Sequence, residues 1–288
     1  MLTYKTKLRG IAALFAVTAG LLVPAGPLHA QGGRIVIKGS DTLLMLAQQW
    51  AAAFQKSKPG TMVSVTGGGS GTGITALING TCDIADSSRG MKAKEVAQCK
   101  ERRFIPKETH VALDGITIVV NNSNPIKSLS LDQVAGIYSG KINNWSQVGG
   151  PNERITTVGR DTASGTYSFF QEFVLKNGAY RADMVSLPSN NAIAQTVQQD
   201  RGGVGYIGIA FAKKFAGRVR IVPISFKQGG NPVTPTNSTV QNKSYPISRP
   251  LYNYTRGAAS GVTAEYLRFV TSPAGQKIVD DAGYVPLR

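Results

Sequence analysis

The sequence predicts an α/β architecture with mainly parallel sheets, and three observations lead to it. Short β-rich runs alternate with segments of helical period along nearly the whole chain beyond residue 30. Glycine and serine cluster where a strand hands over to a helix. Two long extended segments, 110–122 and 249–255, interrupt the alternation as crossings between two bodies would, and no repeat of fixed period is present.

Taken in order, "RIVIK" (34–38) reads as a strand and a Gly-Ser turn follows. A helix then runs from about Thr42 to Lys56, with Leu43, Leu46, Ala47, Trp50, Ala53 and Phe54 on one face and Pro59 as its stop. The same grammar recurs in a strand over 62–66, a glycine loop, and a short helix from about Thr72 to Ile78 ended by Gly80. "CDIADSSRGMKAKEVAQC" (82–99) reads as strand, Ser-Ser-Arg turn and helix; "HVALDGITIVVNN" is extended and broken by Gly115. A short helix and a Gly/Asn-rich loop follow (130–150), then strand "RITTVG" and a helix from about Ser164 to Lys176 closed by Asn177-Gly178. Residues 191–212 give a helix and a buried strand, and 227–248, rich in Pro, Asn, Thr and Gly, read as a long loop or hairpin. "RPLYNYT" is the second crossing, followed by one helix over 262–279 and a short tail.

The first thirty residues form a separate object. Lys5, Lys7 and Arg9 precede an apolar run from Ile11 to Val23, and "PLHA" ends in a small residue, the pattern of a secretory signal cleaved after Ala30. That places the mature chain of about 258 residues outside the cytoplasm, in the periplasm. No other apolar run approaches the roughly 18–20 residues a membrane span needs. The 32 Lys+Arg against 16 Asp+Glu leave a net charge of +13 once the three basic residues of the signal are set aside. Such a balance attracts anions in general. Without a basic run of five or an aromatic–basic strip, it does not indicate nucleic acid.

Cys82 and Cys99 are the only cysteines, and export predicts a disulfide between them. No further His, Cys or carboxylate cluster completes a metal site around them, and no cofactor is indicated. His110 is the sole histidine after the signal, which removes most Ser-His and Cys-His catalytic schemes and argues against an enzyme.

A Ser/Thr-Gly loop introduces a helix three times, at "GSDT" (39–42), "GGGSGTG" (67–73) and "SGT" (164–166), and a Ser-Ser-Arg turn at 87–89 adds a fourth polar cluster. Free N–H groups and the partial positive charge of a helix N-terminus suit an anion, and Arg160 stands just before the third loop. A tetrahedral oxyanion matches such converging donors, at the carboxyl ends of strands where α/β sheets bind ligands. "GTGITA" (71–76) is a loose dinucleotide fingerprint, but Asp83 comes too early for the ribose acid. The glycine loop lacks the lysine of a P-loop, and no G-x-S-x-G elbow surrounds Ser70.

"GSDTL", "VTGGGSGTGITALINGTCDIADSSR", "IYSGKINNWSQVGG", "GRDTASGTYSFF", "GVGYIG", "RPLYNY" and "SPAGQKIVDDAGYVPL", in order over nearly all of the mature chain, together resemble the PstS-type phosphate-binding proteins of bacterial ABC transporters. The resemblance implies a two-lobed, type II periplasmic-binding-protein fold, lobe one from about 31–113 with 251–288 and lobe two from 114–250. It implies inorganic phosphate as ligand and a membrane permease as partner; the chain is expected to be a monomer. Carried over, Thr42 with the Leu43 backbone, Ser70, Arg160, Ser164, Gly165 and Thr166 hold the anion, and Ser40 is an extrapolation from the same loop.

One position departs from the pattern. Where better-known members carry an aspartate that accepts the proton of hydrogen phosphate, this chain has Ser88, which is expected to contact the anion in its place, followed by Arg89. Sulfate lacks that proton, so the acceptor separates the two anions. Asp41, Asp86 and Asp161 are the carboxylates that could replace it. The competing readings are therefore a binding protein for another oxyanion such as sulfate, and, from another class, an exported phosphate-ester hydrolase.

Overall fold

The computed structural model describes residues 33–287 together with Leu2. Apart from Leu2, the signal assigned to residues 1–30, with its cleavage at Ala30, lies outside the described residues. No described helix is long and apolar enough to cross a membrane.

The α/β alternation is present throughout. The first half runs β1 (Arg34–Gly39), α1 (Asp41–Ser57), β2 (Met62–Thr66), α2 (Ser70–Ile78), β3 (Ile84–Ser87), α3 (Ala93–Glu101) and the long β4 (Lys107–Asn121). The middle contains β5 (Leu129–Ser130), α4 (Leu131–Tyr138), a 3-10 turn (Trp145–Val148), β6 (Thr156–Arg160), α5 (Gly165–Phe173), β7 (Val185–Leu187), α6 (Asn190–Gln199), β8 (Gly203–Gly208) and α7 (Ile209–Lys214). The chain ends with β9 (Val219–Val222), β10 (Ile224–Ser225), α8 (Asn237–Gln241), β11 (Ser248–Thr255), α9 (Gly261–Thr271) and α10 (Pro273–Asp281).

The sheet is mixed rather than mainly parallel. Its order is β2-β1-β3-β11-β4-β8-β6-β7, with β9 also on β4. Two parallel blocks, β2-β1-β3 and β8-β6-β7, are joined by the antiparallel pair β11-β4. Strand β4 pairs with β11 from Lys107 to Gly115 and with β8 from Ile116 to Val120, so one strand serves both blocks. In a parallel block all carboxyl ends leave the same edge; the loops after β1, β2 and β3 therefore gather, and the loop after β6 gathers likewise in the second block.

Three local readings need correction. The helix from Ser164 stops at Phe173, because Lys176 and Asn177 take left-handed backbone angles (φ +52° and +65°) that a helix cannot continue. The helix read over 262–279 is two, since Pro273 has no N–H to extend α9 and instead opens α10 at its first position, with Ser272 Oγ accepting from Gly275 N at 3.3 Å. Within 227–248, Thr236 caps the short α8.

The C-terminal helices close on the first half of the chain: Trp50 Nε1 donates to Gly275 O (2.9 Å), Phe54 meets Tyr266 edge to face (5.3 Å), and Tyr284 Oη donates to Thr42 O (2.6 Å). In the second half Tyr138, Phe170, Tyr180 and Tyr206 form an aromatic core, with Phe170 stacked on Tyr206 at 4.2 Å. Tyr206 Oη accepts the Arg160 backbone N–H at 3.0 Å, so this core fixes the end of β6.

The expected disulfide is absent: Cys82 and Cys99 are free, buried thiols. They pack against different stripes of α2. Cys82, just before β3, turns toward Gly73 O (3.8 Å) and sits with Ala76, Leu77, Ala85 and Tyr254, whereas Cys99 on α3 sits against Ile74 and Ile78. Burial pushes the Cys82 thiol up to about 12, the behaviour of an inert core residue.

Candidate anion-binding site

The N-termini of α1, α2 and α5 meet at one place. Thr42 Oγ1, in the first turn of α1, lies 3.1 Å from Thr166 Oγ1 in the first turn of α5. Gly71 N donates to Ala163 O (3.0 Å), tying the start of α2 to the loop before α5. Ser70 Oγ accepts from Ser88 N (3.0 Å) and lies 3.3 Å from Ser88 Oγ, which brings in the turn after β3. Thr42, Ser70, Ser88, Arg160, Ser164 and Thr166 are all buried, at 0–2 % exposure.

Each residue reaches the site for a local reason. Ser164 is the N-cap of α5, and its Oγ accepts from Thr166 N and Tyr167 N, so its own proton points away from the helix. Gly165 is a glycine because a Cβ there would stand 2.3 Å from Ser70 Oγ and 2.7 Å from Ser88 Oγ. Gly69, at φ +98°, allows the α2 loop to approach Ala163, whose carbonyl would be 2.5 Å from a Cβ. Gly165→Ala is expected to lower thermal stability by about 1–2 kcal/mol through overpacking, read from the melting temperature, with the loss confined to this contact. Ser40 is buried, but its N–H donates to Asp86 O (2.9 Å) and its carbonyl accepts from Leu43 N (3.1 Å); both groups serve the loop itself.

Arg160, the last residue of β6, is 1 % exposed. Nη2 donates to Pro188 O (2.8 Å) and Nη1 faces Asp41 Oδ2 at 3.3 Å, while Nε and Nη1 have no hydrogen-bond partner among the described residues. A buried guanidinium with unmatched N–H groups is costly and aims at an anion. Arg89, the other arginine of the polar loops, is engaged elsewhere: it forms a two-pronged ion pair with Glu95 at 2.7 and 2.8 Å.

The three carboxylates have separate roles. Asp41 Oδ2 accepts from Asn190 N (3.0 Å) and Nδ2 (2.7 Å) beside Arg160. Asp161 Oδ1 accepts from Ala163 N (3.0 Å) and Ser164 N (3.1 Å) and so shapes its own loop. Asp86 is buried on β3 and accepts from Asn253 Nδ2 at 2.5 Å. Burial pushes its carboxyl up to about 8, against the Asn253 bond that pulls it down. Asn253 Oδ1 has no donor among the described residues. Because the folded pKa is raised, stability from this group is full below about pH 4 and declines as pH rises to about 8. Asp86→Asn, which supplies a permanent N–H donor, is expected to raise stability by more than about 1 kcal/mol at pH 9 and to leave it nearly unchanged at pH 4, read by urea denaturation.

Two residues had not been anticipated. Arg249, on β11, and Asp114, on β4, form a buried ion pair (Nη2–Oδ2 2.8 Å) at 2 % and 0 % exposure. Arg249 Nη2 also donates to Thr166 Oγ1 (2.9 Å) and Nη1 to Ser88 O (2.7 Å). The sequence carried a signal for both: each is a charge set in an apolar or aromatic extended run, where burial demands a partner. A cleft of about 710 Å³ lies beside this pair, lined by Arg89, Met91, Phe169, Phe173, Arg249 and Tyr252. Among the described residues no group of three or more His, Cys, Asp or Glu is placed to hold a metal. His110 is exposed and pairs with Glu108.

Two parallel blocks bridged by crossing strands, with buried donors gathered at their carboxyl edges, define a solute-binding protein of the two-lobed periplasmic type. A family model described as "PBP superfamily domain" matches residues 26–274. Protein SphX of Synechococcus elongatus is 32% identical over 100% of this chain and 88% of its own length, and the phosphate-binding protein PstS of Pseudomonas aeruginosa is 31% identical over 96% and 91%. A Clostridium perfringens structure assigned as a phosphate ABC transporter substrate-binding protein, with phosphate bound, aligns at a TM-score of 0.80 and 29% identity, covering 88% of this chain and 100% of that one. An ABC-type phosphate transport receptor of Vibrio cholerae aligns at 0.71 and 28%, covering 87% and 99%. The chain belongs to the PstS-type phosphate-binding proteins of the PBP superfamily.

Proposed function

We propose that this chain binds inorganic phosphate where the first turns of α1, α2 and α5 meet, and delivers it to the membrane permease of an ABC transporter. The observation that carries the reading is Arg160: a guanidinium 1 % exposed, with Nε and Nη1 unmatched, at the end of the strand that leads into the Ser164–Thr166 helix start and facing Asp41 beside Thr42. Hydroxyls, helix N-termini and a fixed cation supply donors to every face of a tetrahedral anion. Thr42, Ser70, Arg160, Ser164, Gly165 and Thr166 form the site, Ser88 stands at its edge through Ser70, and the Leu43 N–H is given to Ser40 O at 3.1 Å.

The protein works outside the cytoplasm after loss of residues 1–30, as a monomer that binds rather than reacts. Lobe one comprises 31–113 and 251–288, and lobe two 114–250; the switch of β4 partners at Gly115 and Ile116 supports that division. Asp41 is the proton acceptor for hydrogen phosphate, because it alone of the three carboxylates also faces Arg160. A second reading, sulfate as ligand, is favoured by one fact: Ser88 brings a hydroxyl, not a carboxylate, beside Ser70. Calorimetry of the mature chain with phosphate, sulfate, arsenate and molybdate tests both. Phosphate and arsenate are expected to bind and sulfate to bind far more weakly; preference for sulfate would replace the first reading by the second.

A further inference from the structure

Arg249 touches both the turn after β3 and the start of α5 and belongs to none of the three helices that build the site. Its guanidinium is held from one side by Asp114, through Nε (3.1 Å) and Nη2 (2.8 Å) to Oδ2, while Asp114 Oδ1 accepts from Ile209 N (3.2 Å) at the start of α7. From the other side it donates to Ser88 O in the turn after β3 and to Thr166 Oγ1 in the first turn of α5. Burial lowers the Arg249 pKa while Asp114 raises it, and the charge of Arg160 is near enough to oppose it as well. Arg249 thus ties the turn after β3 to the start of α5.

A guanidinium has no acceptor, so the bond between Arg249 and Thr166 runs one way. Thr166 Oγ1 accepts from a cation there, and an oxygen so engaged is a poorer acceptor for another donor while its O–H becomes a stronger donor. Threonine has a single O–H, so a bound anion takes this donor in place of Thr42 Oγ1, which lies 3.1 Å away.

Resting on the phosphate reading above, we propose that Arg249 is a positioning residue that sets the hydrogen-bond polarity of Thr166. It makes this hydroxyl a donor toward the anion and so favours a deprotonated oxygen at that corner of the site. Arg249 thereby works with the proton acceptor: one corner selects the bare oxygen, leaving the protonated one for the carboxylate.

The test is a double-mutant cycle read by calorimetric phosphate affinity on both sides of the second ionisation of phosphate. Arg249→Met alone strands the Asp114 carboxylate, so the cycle uses Arg249→Met with Asp114→Asn, which removes both charges and keeps an acceptor for Ile209 N. Thr166→Val is expected to weaken binding about tenfold or more in the parent and less than about threefold in the altered background. In that background the preference for doubly over singly ionised phosphate should shrink, a change that a merely structural role for Arg249 does not produce. Arg249→Lys, which keeps the charge but loses the planar fork, is expected to reduce the coupling in part and decides the matter if the charge-neutral background does not fold. Equal losses from Thr166→Val with and without Arg249, with an unaltered ionisation preference, would overturn the inference while the parent's phosphate binding still stands. A parent that binds no oxyanion would overturn the functional reading and this inference together.

Discussion

Arg160→Ala is expected to cripple anion binding. The loss is about 2–5 kcal/mol, or roughly thirtyfold to several thousandfold in Kd, because a buried anion loses its fixed counter-charge. The same substitution strands Asp41, whose Oδ2 faces Arg160 Nη1 at 3.3 Å, and puts a carboxylate beside the bound anion with nothing between them. Arg160→Lys is expected to recover part of the affinity but not all, since an ammonium cannot serve Pro188 O, Asp41 and an anion with the geometry of a planar fork. Calorimetric titration of both variants with phosphate checks this. Wild-type affinity in Arg160→Ala would remove Arg160 from the site.

Asp41→Asn is expected to change preference more than overall affinity. An amide at this position retains an acceptor for Asn190 but also presents an N–H toward the anion, where a protonated phosphate oxygen would be left without its acceptor. A buried O–H without a partner costs about 1–3 kcal/mol, so phosphate should weaken roughly five- to a hundredfold while sulfate binds no worse. The measurement is the ratio of phosphate to sulfate Kd in parent and variant. Asp161→Asn should leave the ratio nearly unaltered, because Asp161 Oδ1 is committed to Ala163 N and Ser164 N of its own loop. An unaltered ratio in Asp41→Asn would remove Asp41 as the acceptor.

Most of the strand and helix order was legible in the sequence because it is local. Each βα unit announces itself by a β-branched run, a Gly/Ser/Thr turn and a helical period, and the same turns contain the donors of the proposed site. What escaped was set by contacts distant in sequence. The sequence left Asp41, Asp86 and Asp161 as equal candidates for the proton acceptor; only the fold sets Asp41 against Arg160, 119 positions away. Arg249 and Asp114 come together only because β11 runs antiparallel to β4, with Arg249 opposite Asp114 in register, and no local pattern states that pairing. The antiparallel character of the crossing strands escaped for the same reason.

The free thiols are instructive in another way. Two cysteines in an exported chain favour a disulfide by count and compartment, yet count and compartment carry no geometry. The stripes of α2 that receive Cys82 and Cys99 decide the outcome, and each thiol serves as a small apolar group. Pro273 was legible and misread: a proline after Ser272 marks the start of α10 as plainly as it marks a break in a continuous helix.

A crystal structure of the mature protein grown with phosphate tests the assignment of the site most directly. Phosphate oxygens are expected within hydrogen-bond distance of Arg160 and of the hydroxyls of Thr42, Ser70, Ser164 and Thr166, with one oxygen facing Asp41. Phosphate bound elsewhere, or bound without contact to Arg160, would contradict it.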